Sequence, residues 1–377
     1  MIVRFQGLIG ALSLVLMGVL VLARVSTAAA FDMSRAGATF PALTGQVQVI
    51  QTPNENGHPE FENAINQAQS SIVMTMYHLT DQAVMQDLGA AVKRGINVRV
   101  IVDGESVKAA GYEAAFKELQ DQGVAVRASS PMFSITHEKS LIVDNSLAFV
   151  TAINLTRSGL NSRDFGIITQ DPSVIAEMNS VFETDWSNAE TGNGDTPTLS
   201  NPNLAWSPTN STAQILALIQ TAQSTIIATS ENLGDSDVMS GLTAAAARGV
   251  AVRVLVPQCD LNSNPAFNIP FVRQLSAAGV NAHIMPGPST PELPYIHSKM
   301  MIVDGNEVFV GSINFSYNSM TKARELGIIF ADSQSANFIS SVFENDWSQS
   351  VEAPAVDVTC PTFGANNGPA NGKAGLF

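Results

Sequence analysis

The sequence predicts an α/β fold made of two pseudo-twofold-related halves, each a mixed β-sheet flanked by helices, packed together as one body. Three observations carry this expectation. A short cassette occurs twice, as HEKSLIVDNSLAFVTAIN from His137 to Asn154 and as IHSKMMIVDGNEVFVGSIN from Ile296 to Asn314. The repetition extends well beyond the cassettes, since SIVMTMYHLTDQAVMQDLGAAVKRGINVRVIVD from Ser71 matches TIIATSENLGDSDVMSGLTAAAARGVAVRVLVP from Thr225. Near-continuous apolar strands alternate with helical stretches, the pattern of a buried sheet covered on both faces.

The N-terminus comes first in chain order. Arg4, an apolar run from about Leu8 to Ala23 and the small residues ending at Ala30 describe a secretory signal peptide over residues 1–30. Export to a secreted or periplasmic location is therefore expected. An uncleaved membrane anchor is the alternative, because the apolar run approaches spanning length. Removing residues 1–30 takes away two basic and no acidic residues, which carries the formal charge from −14 to −16. Such a surface repels a polyanion unless basic residues cluster, so nucleic acid is disfavoured as a substrate.

The first repeat is expected over residues 46–187 and the second over 204–350, with a polar, Gly- and Pro-rich linker at 188–203. In each copy an apolar strand (Ile72 to Met76 in the first) leads through a loop to a helix ending at Arg94-Gly95 or Arg248-Gly249. A second strand follows (Val98 to Val102), then another helix and a short strand in LQDQGVAVRA or LSAAGVNAHI, then the cassette. The cassette reads as a hairpin: LIVD, a turn at Asn145-Ser146 or Gly305-Asn306, then LAFV or EVFVGS. SVFETDWS and SVFENDWS close the copies as helices carrying Phe182 and Trp186, or Phe343 and Trp347. The tail over 351–377 has little periodicity and is expected to be irregular. Cys259 and Cys360 are the only cysteines. They either form one bridge pinning the tail to the second half or remain two free thiols.

Within each cassette a His stands two residues before a Lys, an Asp five residues after that Lys, and an Asn ten residues after the Asp. Alternation along a strand puts His and Lys on one face. That sets a nucleophile or acid beside a fixed positive charge, so one copy is half a site and two copies make a whole one. A phosphodiester needs such a set: a nucleophile on phosphorus, a proton for the leaving alkoxide, and cations around the non-bridging oxygens. No carboxylate cluster or His/Cys spacing of the kind that ligates a metal is present, so a metal-independent site without cofactors is expected.

The doubled H-x-K-x4-D pattern, followed by G-S-x-N in the second copy, resembles the phospholipase D superfamily, and the resemblance covers residues 46 to 350. It implies a phosphodiesterase acting through a covalent phosphohistidine. His137 then serves as nucleophile and His297 as general acid. Lys139 and Lys299 supply charge, Asn154 and Asn314 donate amide N–H groups, and Ser312 adds a hydroxyl near the phosphate. The resemblance also implies a carboxylate that orients each imidazole, carried here to Asp164 and Glu325. The alternative for these two acids is a surface ion pair with the adjoining Arg163 and Arg324. Asp144 and Asp304 read as structural residues anchoring the hairpin turns.

The first copy departs from the pattern, with Thr151-Ala152 where the second has Gly311-Ser312. Thr151 crowds a place where Gly permits close backbone approach, so the halves are not expected to be equivalent. Tyr77 and Glu231 end matched strands and are candidates to touch substrate. His78 is either part of that wall or an ordinary loop histidine. Met132, Phe133, Phe267, Phe271 and Tyr295 either form an apolar rim for acyl chains or simply pack their loops. The expected function is hydrolysis, with transfer as an accompanying activity, of phosphatidyl groups at a membrane or micelle surface. A monomer with no obligate protein partner is expected. A nuclease of the same superfamily and a non-catalytic phospholipid-binding protein are the alternatives.

Overall fold

A computed structural model describes residues 39–54, 56–259, 266–287, 289–290 and 293–360. The expected signal segment (1–30) and most of the tail (361–377) lie outside the described residues. The first half runs β1 (Val47–Thr52), α1 (Pro59–Gln67), β2 (Ser71–Met76), α2 (Gln82–Lys93), β3 (Asn97–Val102), α3 (Ala110–Asp121), β4 (Ala125–Ala128), β5 (Lys139–Val143), β6 (Leu147–Thr151), β7 (Ser162–Thr169) and α4 (Pro172–Thr191). The second half repeats this plan. It runs β8 (Leu204–Ser207), α5 (Ser211–Thr221), β9 (Thr225–Thr229), α6 (Ser236–Ala247), β10 (Ala251–Pro257), α7 (Ile269–Ala277), β11 (Asn281–Met285), β12 (Tyr295–Ile296), β13 (Lys299–Val303), β14 (Glu307–Gly311), α8 (Tyr317–Thr321), β15 (Glu325–Ala331), α9 (Ser333–Trp347) and β16 (Val351–Glu352).

Each sheet is mixed, as the alternation of strands and helices predicts. The first is ordered β1-β7-β6-β5-β2-β3-β4 with β12 added beside β7, and the second β16-β11-β10-β9-β13-β14-β15-β8. Strands β2, β3 and β4 run parallel because helices connect them, and β9, β10 and β11 do the same. The hairpins β5–β6 and β13–β14 lie antiparallel to their neighbours. Helices α1, α2 and α3 cover the outer face of one sheet, burying Phe61, Leu88 and Leu119, and α5, α6 and α7 cover the other with Leu218, Leu242 and Leu275. The inner faces meet in a shared core where Val73 and Ile142 of one half join Ile227 and Ile302 of the other, together with Phe182 from α4 and Phe343 from α9. A polar residue is scarce on either face, so the strands read as apolar runs rather than alternating ones.

Three expected boundaries shift. The hairpin turns fall one residue earlier than the sequence reading placed them: Ser146 N–H donates to Val143 O and Asn306 N–H to Val303 O. The central pairs are therefore Asp144-Asn145 and Asp304-Gly305, all at positive φ between 50° and 68°. Asp, Asn and Gly are the residues that tolerate this left-handed geometry. The expected linker loses its first residues to α4, which continues to Thr191 and stops at Gly192 in the left-handed conformation. The tail is not wholly irregular, because β16 pairs antiparallel with β11 and Cys360 is bonded to Cys259, 101 positions away.

The two halves also exchange backbone. Strand β12, from the second half, lies parallel to β7 of the first. In the matched place Thr136 bridges to Arg324 of the second half. These crossings sit immediately before His297 and His137, so the interface and the histidines are built from the same segments.

Candidate active site

Each histidine stands at the entrance to its cassette strand, and the Lys two residues on begins that strand. The main-chain N–H groups of His137 and Glu138 donate to Arg324 O, while those of His297 and Ser298 donate to Arg163 O. The carbonyl of each His in turn accepts from the Lys of its own cassette, Lys139 Nζ to His137 O at 2.6 Å and Lys299 Nζ to His297 O. Both His–Lys pairs are buried and face one another, with the imidazole centroids 6.4 Å apart.

The carboxylates are swapped between halves. Glu325 Oε2 lies 2.8 Å from His137 Nδ1, and Asp164 Oδ1 and Oδ2 lie 2.8 and 2.9 Å from His297 Nδ1. Both acids are fully buried, so the surface ion-pair alternative does not hold. Adjacent residues on a strand point to opposite faces, which explains the Arg–acid dipeptides. The acid faces the site and the arginine faces away. Arg163 Nε and Nη2 fork onto Asp346 of α9 at 2.7 and 3.1 Å, and Arg324 onto Asp185 of α4 at 2.7 and 3.0 Å. Each pair joins one half to the other. The sequence reading missed Asp185 and Asp346, although both stand at matched positions in the SVFETDWS and SVFENDWS repeats.

Charge in the site is uneven. Burial pushes the Glu325 carboxyl up to about 7 against the pull of Lys139. Burial, with Lys299 close by, pulls the Lys139 ammonium down to about 7. Burial and the neighbouring lysines hold His137 well below the ordinary histidine range. His137 Nδ1 also lies 3.2 Å from the carbonyl oxygen of Ser312. A carbonyl only accepts, so the ring proton belongs on Nδ1 and Nε2 presents a lone pair. His297 differs: Nδ1 faces Asp164 and Nε2 lies 3.4 Å from Glu231 Oε2, so both ring nitrogens face carboxylates.

Tyr77 and Glu231 occupy matched places beside the two lysines. The Tyr77 ring lies 4.7 Å from the His137 ring, with the Lys139 ammonium 4.8 Å over it, and Glu231 Oε2 lies 3.2 Å from Lys299 Nζ. His78 is stacked on Tyr77 at 3.7 Å and on Tyr112 at 4.4 Å. Asn314 Oδ1 accepts from Asn232 N at 3.0 Å and Ser230 Oγ at 3.3 Å, which reserves its Nδ2 for donation. In the other cassette the buried Asn154 Oδ1 has no hydrogen-bond partner.

Other expected members sit elsewhere. Ser312 is fully buried and its hydroxyl is engaged with the main chain of Leu326, at 3.2 Å from N and 3.4 Å from O. Its carbonyl oxygen adjoins His137 Nδ1, so it borders the His137–Glu325 pair. Gly311 is required by its neighbouring strand: a Cβ there would lie 2.4 Å from Leu326 O and 2.5 Å from Gly327 Cα. Thr151 does not crowd its strand, because the facing residue is Gly166, where a Cβ would lie 2.6 Å from Thr151 Cγ2. Asp144 and Asp304 lie at the far ends of their hairpins. Asp304 accepts from the N–H groups of Gln223, Ser224 and Thr225, and Asp144 from those of Gln69, Ser70 and Ser71.

The expected apolar rim divides. Met132 and Phe267 are exposed, Phe133 is buried near the Arg324 guanidinium, and Phe271 packs against the second-half core. Tyr295 donates its hydroxyl to Glu231 Oε1 at 2.8 Å. Among the described residues no group of three or more His, Cys, Asp or Glu side chains is placed to hold a metal ion. None of the described helices is long and apolar enough to cross a membrane.

Known proteins resemble the chain in both sequence and fold. It is 23% identical to a probable cardiolipin synthase of Bacillus subtilis over 81% of its own length and 66% of that protein's. It is also 23% identical to cardiolipin synthase A of Proteus mirabilis, over 74% of its length and 64% of the relative's. The chain thus spans just under two thirds of these curated relatives. Among solved structures, a phosphatidylserine synthase of Haemophilus influenzae superposes with a TM-score of 0.63 at 13% identity, covering 82% of this chain and 87% of that one. A polyphosphate kinase of Porphyromonas gingivalis gives 0.62 at 16% identity, covering 86% and 51%. At such identities the likeness is one of fold. The model of the cardiolipin synthase PLD-like domain matches residues 61–186 and 215–347, one segment in each half. By that double match the chain belongs to the PLD-like domain family of the phospholipase D superfamily.

Proposed function

We propose that this protein transfers phosphatidyl groups from a phospholipid to an alcohol through a phosphohistidine, with water as a competing acceptor. The supporting observation is the pair of imidazoles facing each other between two lysines, each with Nδ1 held by a carboxylate of the other half. In the first step His137 Nε2 attacks phosphorus and the bond to the leaving oxygen breaks. That oxygen takes the proton from His297 Nε2. In the second step an acceptor hydroxyl returns a proton to His297 and its oxygen attacks phosphorus, releasing His137. Lys139, Lys299 and the Asn314 amide stabilise the charge that gathers on the non-bridging oxygens. The lysines supply that charge without a metal.

The cardiolipin synthase names of the relatives favour transfer over plain hydrolysis. The formal charge of −14 weighs against a nucleic-acid substrate. Export directed by residues 1–30 agrees with the Cys259–Cys360 bond, which an oxidising compartment maintains. One chain supplies both halves of the site, so the protein is proposed to act as a monomer at a membrane surface.

The test is to incubate the mature protein, in EDTA, with phosphatidylglycerol, other phospholipids and plasmid DNA, with and without added alcohol. Phosphatidyl exchange onto the alcohol is expected. Plasmid cleavage without phospholipid turnover would replace this reading with the nuclease one, and dependence on a divalent cation would remove the lysine-based mechanism.

A further inference from the structure

Glu231 occupies an unusual place for an acid. Its Oε2 lies 3.2 Å from Lys299 Nζ and 3.4 Å from His297 Nε2, the two groups that would hold a phosphate oxygen in the second half. Its Oε1 accepts from the Tyr295 hydroxyl at 2.8 Å, and its main-chain O accepts from Asn268 Nδ2 at 2.7 Å. The matched residue of the first half is the neutral Tyr77, whose ring face meets Lys139. One lysine is therefore in direct contact with a carboxylate, while the other lies against a neutral ring and meets its nearest carboxylates only at longer range. Burial works to raise the Glu231 carboxyl, but Lys299, His297 and the Tyr295 hydroxyl outweigh it and hold the group well below the usual carboxylate range. Such a group stays charged and makes a poor base.

We infer that Glu231 sets the charge that the site accepts, admitting the monoanion of a phosphodiester and rejecting the dianion of a phosphomonoester. This rests on the phosphodiester reading above. A phosphate oxygen that hydrogen-bonds Lys299 Nζ can lie no farther than about 6 Å from Glu231 Oε2, since each leg of that path is about one hydrogen bond long. At such separations in a poorly screened site, each negative charge on the ligand is disfavoured on the order of 10- to 100-fold. A dianion meets that penalty twice and a monoanion once. The monoester left when water is the acceptor would then be expelled rather than retained as an inhibitor.

The experiment compares wild type, Glu231→Gln and Glu231→Asp in binding two probes by calorimetry. One is phenyl phosphate, held about two pH units above its second pKa of about 6 so that it is a dianion. The other is bis(p-nitrophenyl) phosphate, a diester whose KM is measured alongside. Glu231→Gln should tighten monoester binding more than diester binding, shifting the ratio on the order of 10- to 100-fold. Glu231→Asp should keep the wild-type ratio. Equal gains for both probes, or no gain for the monoester in a variant that melts like wild type, would overturn charge selection. Monoester binding needs no turnover. A protein that leaves the diester and every phospholipid intact would sink the phosphodiesterase reading, while the calorimetry would still judge Glu231.

Discussion

Glu325 Oε2 lies 2.8 Å from His137 Nδ1, although the two residues are 188 positions apart and belong to opposite halves. Asp164 and His297 mirror that relationship. Neither half holds both a histidine and the carboxylate that orients it. Replacing Glu325 by Gln or Asp164 by Asn keeps the shape of the side chain but removes its negative charge and turns one of its two acceptor oxygens into a donor, so the ring tautomer is no longer fixed. Each substitution should lower kcat by about 10²- to 10⁴-fold. The thermal midpoint of the purified variants should stay near the wild-type value, which separates lost chemistry from lost folding.

The turn aspartate should behave in the opposite way. Asp304 gathers three main-chain N–H groups and the Ser224 hydroxyl far from the imidazoles. In Asp304→Asn one oxygen becomes a donor facing donors, at a cost of about 1–3 kcal/mol. Urea unfolding should register that loss, with kcat altered only modestly. A folded but inactive Asp304→Asn enzyme would exchange the roles assigned to Asp304 and Glu325.

The buried Arg324–Asp185 and Arg163–Asp346 pairs join the halves and share residues with the site, because the arginine carbonyls receive the N–H groups of His137 and His297. Asp185→Asn and Asp346→Asn each strand a buried guanidinium, which should cost about 3–5 kcal/mol. A chemical denaturation series measures this directly. Substitutions that lower stability by less than the uncertainty of the extrapolation would show that the pairs are not what fastens the halves.

Much of this architecture was legible in the sequence, for a physical reason. Strand periodicity puts a His and a Lys two residues apart on one side, and a duplicated cassette requires a duplicated fold. The swap of carboxylates was not legible, because it depends on how two halves dock and not on spacing within either. Glu325 and Asp164 were found, but not which histidine each one serves. The hydrogen bonds of Ser312 were hidden for a related reason: a hydroxyl next to a motif glycine looks free until Leu326 of the neighbouring strand engages it. The turn was misplaced by one residue because Asp144 and Asp304 themselves adopt positive φ, which their role as side-chain acceptors concealed.

The pH dependence follows from two groups with opposite requirements. Glu325, raised by burial to about 7, orients His137 as an anion, so activity should rise with pH through that value. Lys139, lowered by burial and by Lys299 to about 7, holds phosphate as a cation, so activity should fall as pH rises through that value. The profile of kcat/KM should be a narrow bell near neutrality. Bound phosphate favours the charged lysine, so the alkaline limb of kcat should lie above that of kcat/KM. Coincident alkaline limbs would mean that Lys139 does not touch the substrate phosphate.

The identity of the nucleophile gives the last prediction. His137 Nδ1 faces the Ser312 carbonyl and Glu325, both acceptors, so Nε2 carries the lone pair that an attack on phosphorus requires. The lysines around it, together with burial, keep that ring neutral. His297 instead has a carboxylate facing each nitrogen, Asp164 2.8 Å from Nδ1 and Glu231 3.4 Å from Nε2. An acceptor facing Nε2 favours a proton at that atom, which suits giving a proton to the leaving oxygen and opposes attack by the ring. The two environments differ because Tyr77 stands where the second half has Glu231. Rapid quench of a reacting phosphodiester in alkaline denaturant, where the N–P bond survives, should therefore leave the phosphoryl group on the peptide containing His137. His297→Ala should still accumulate that adduct when the leaving group is a good one, such as p-nitrophenolate, which needs no proton. Mass spectrometry that finds the adduct on His297, or a His137→Ala protein that still forms one, would reverse the assignment and leave Glu231 beside the nucleophile instead of the acid.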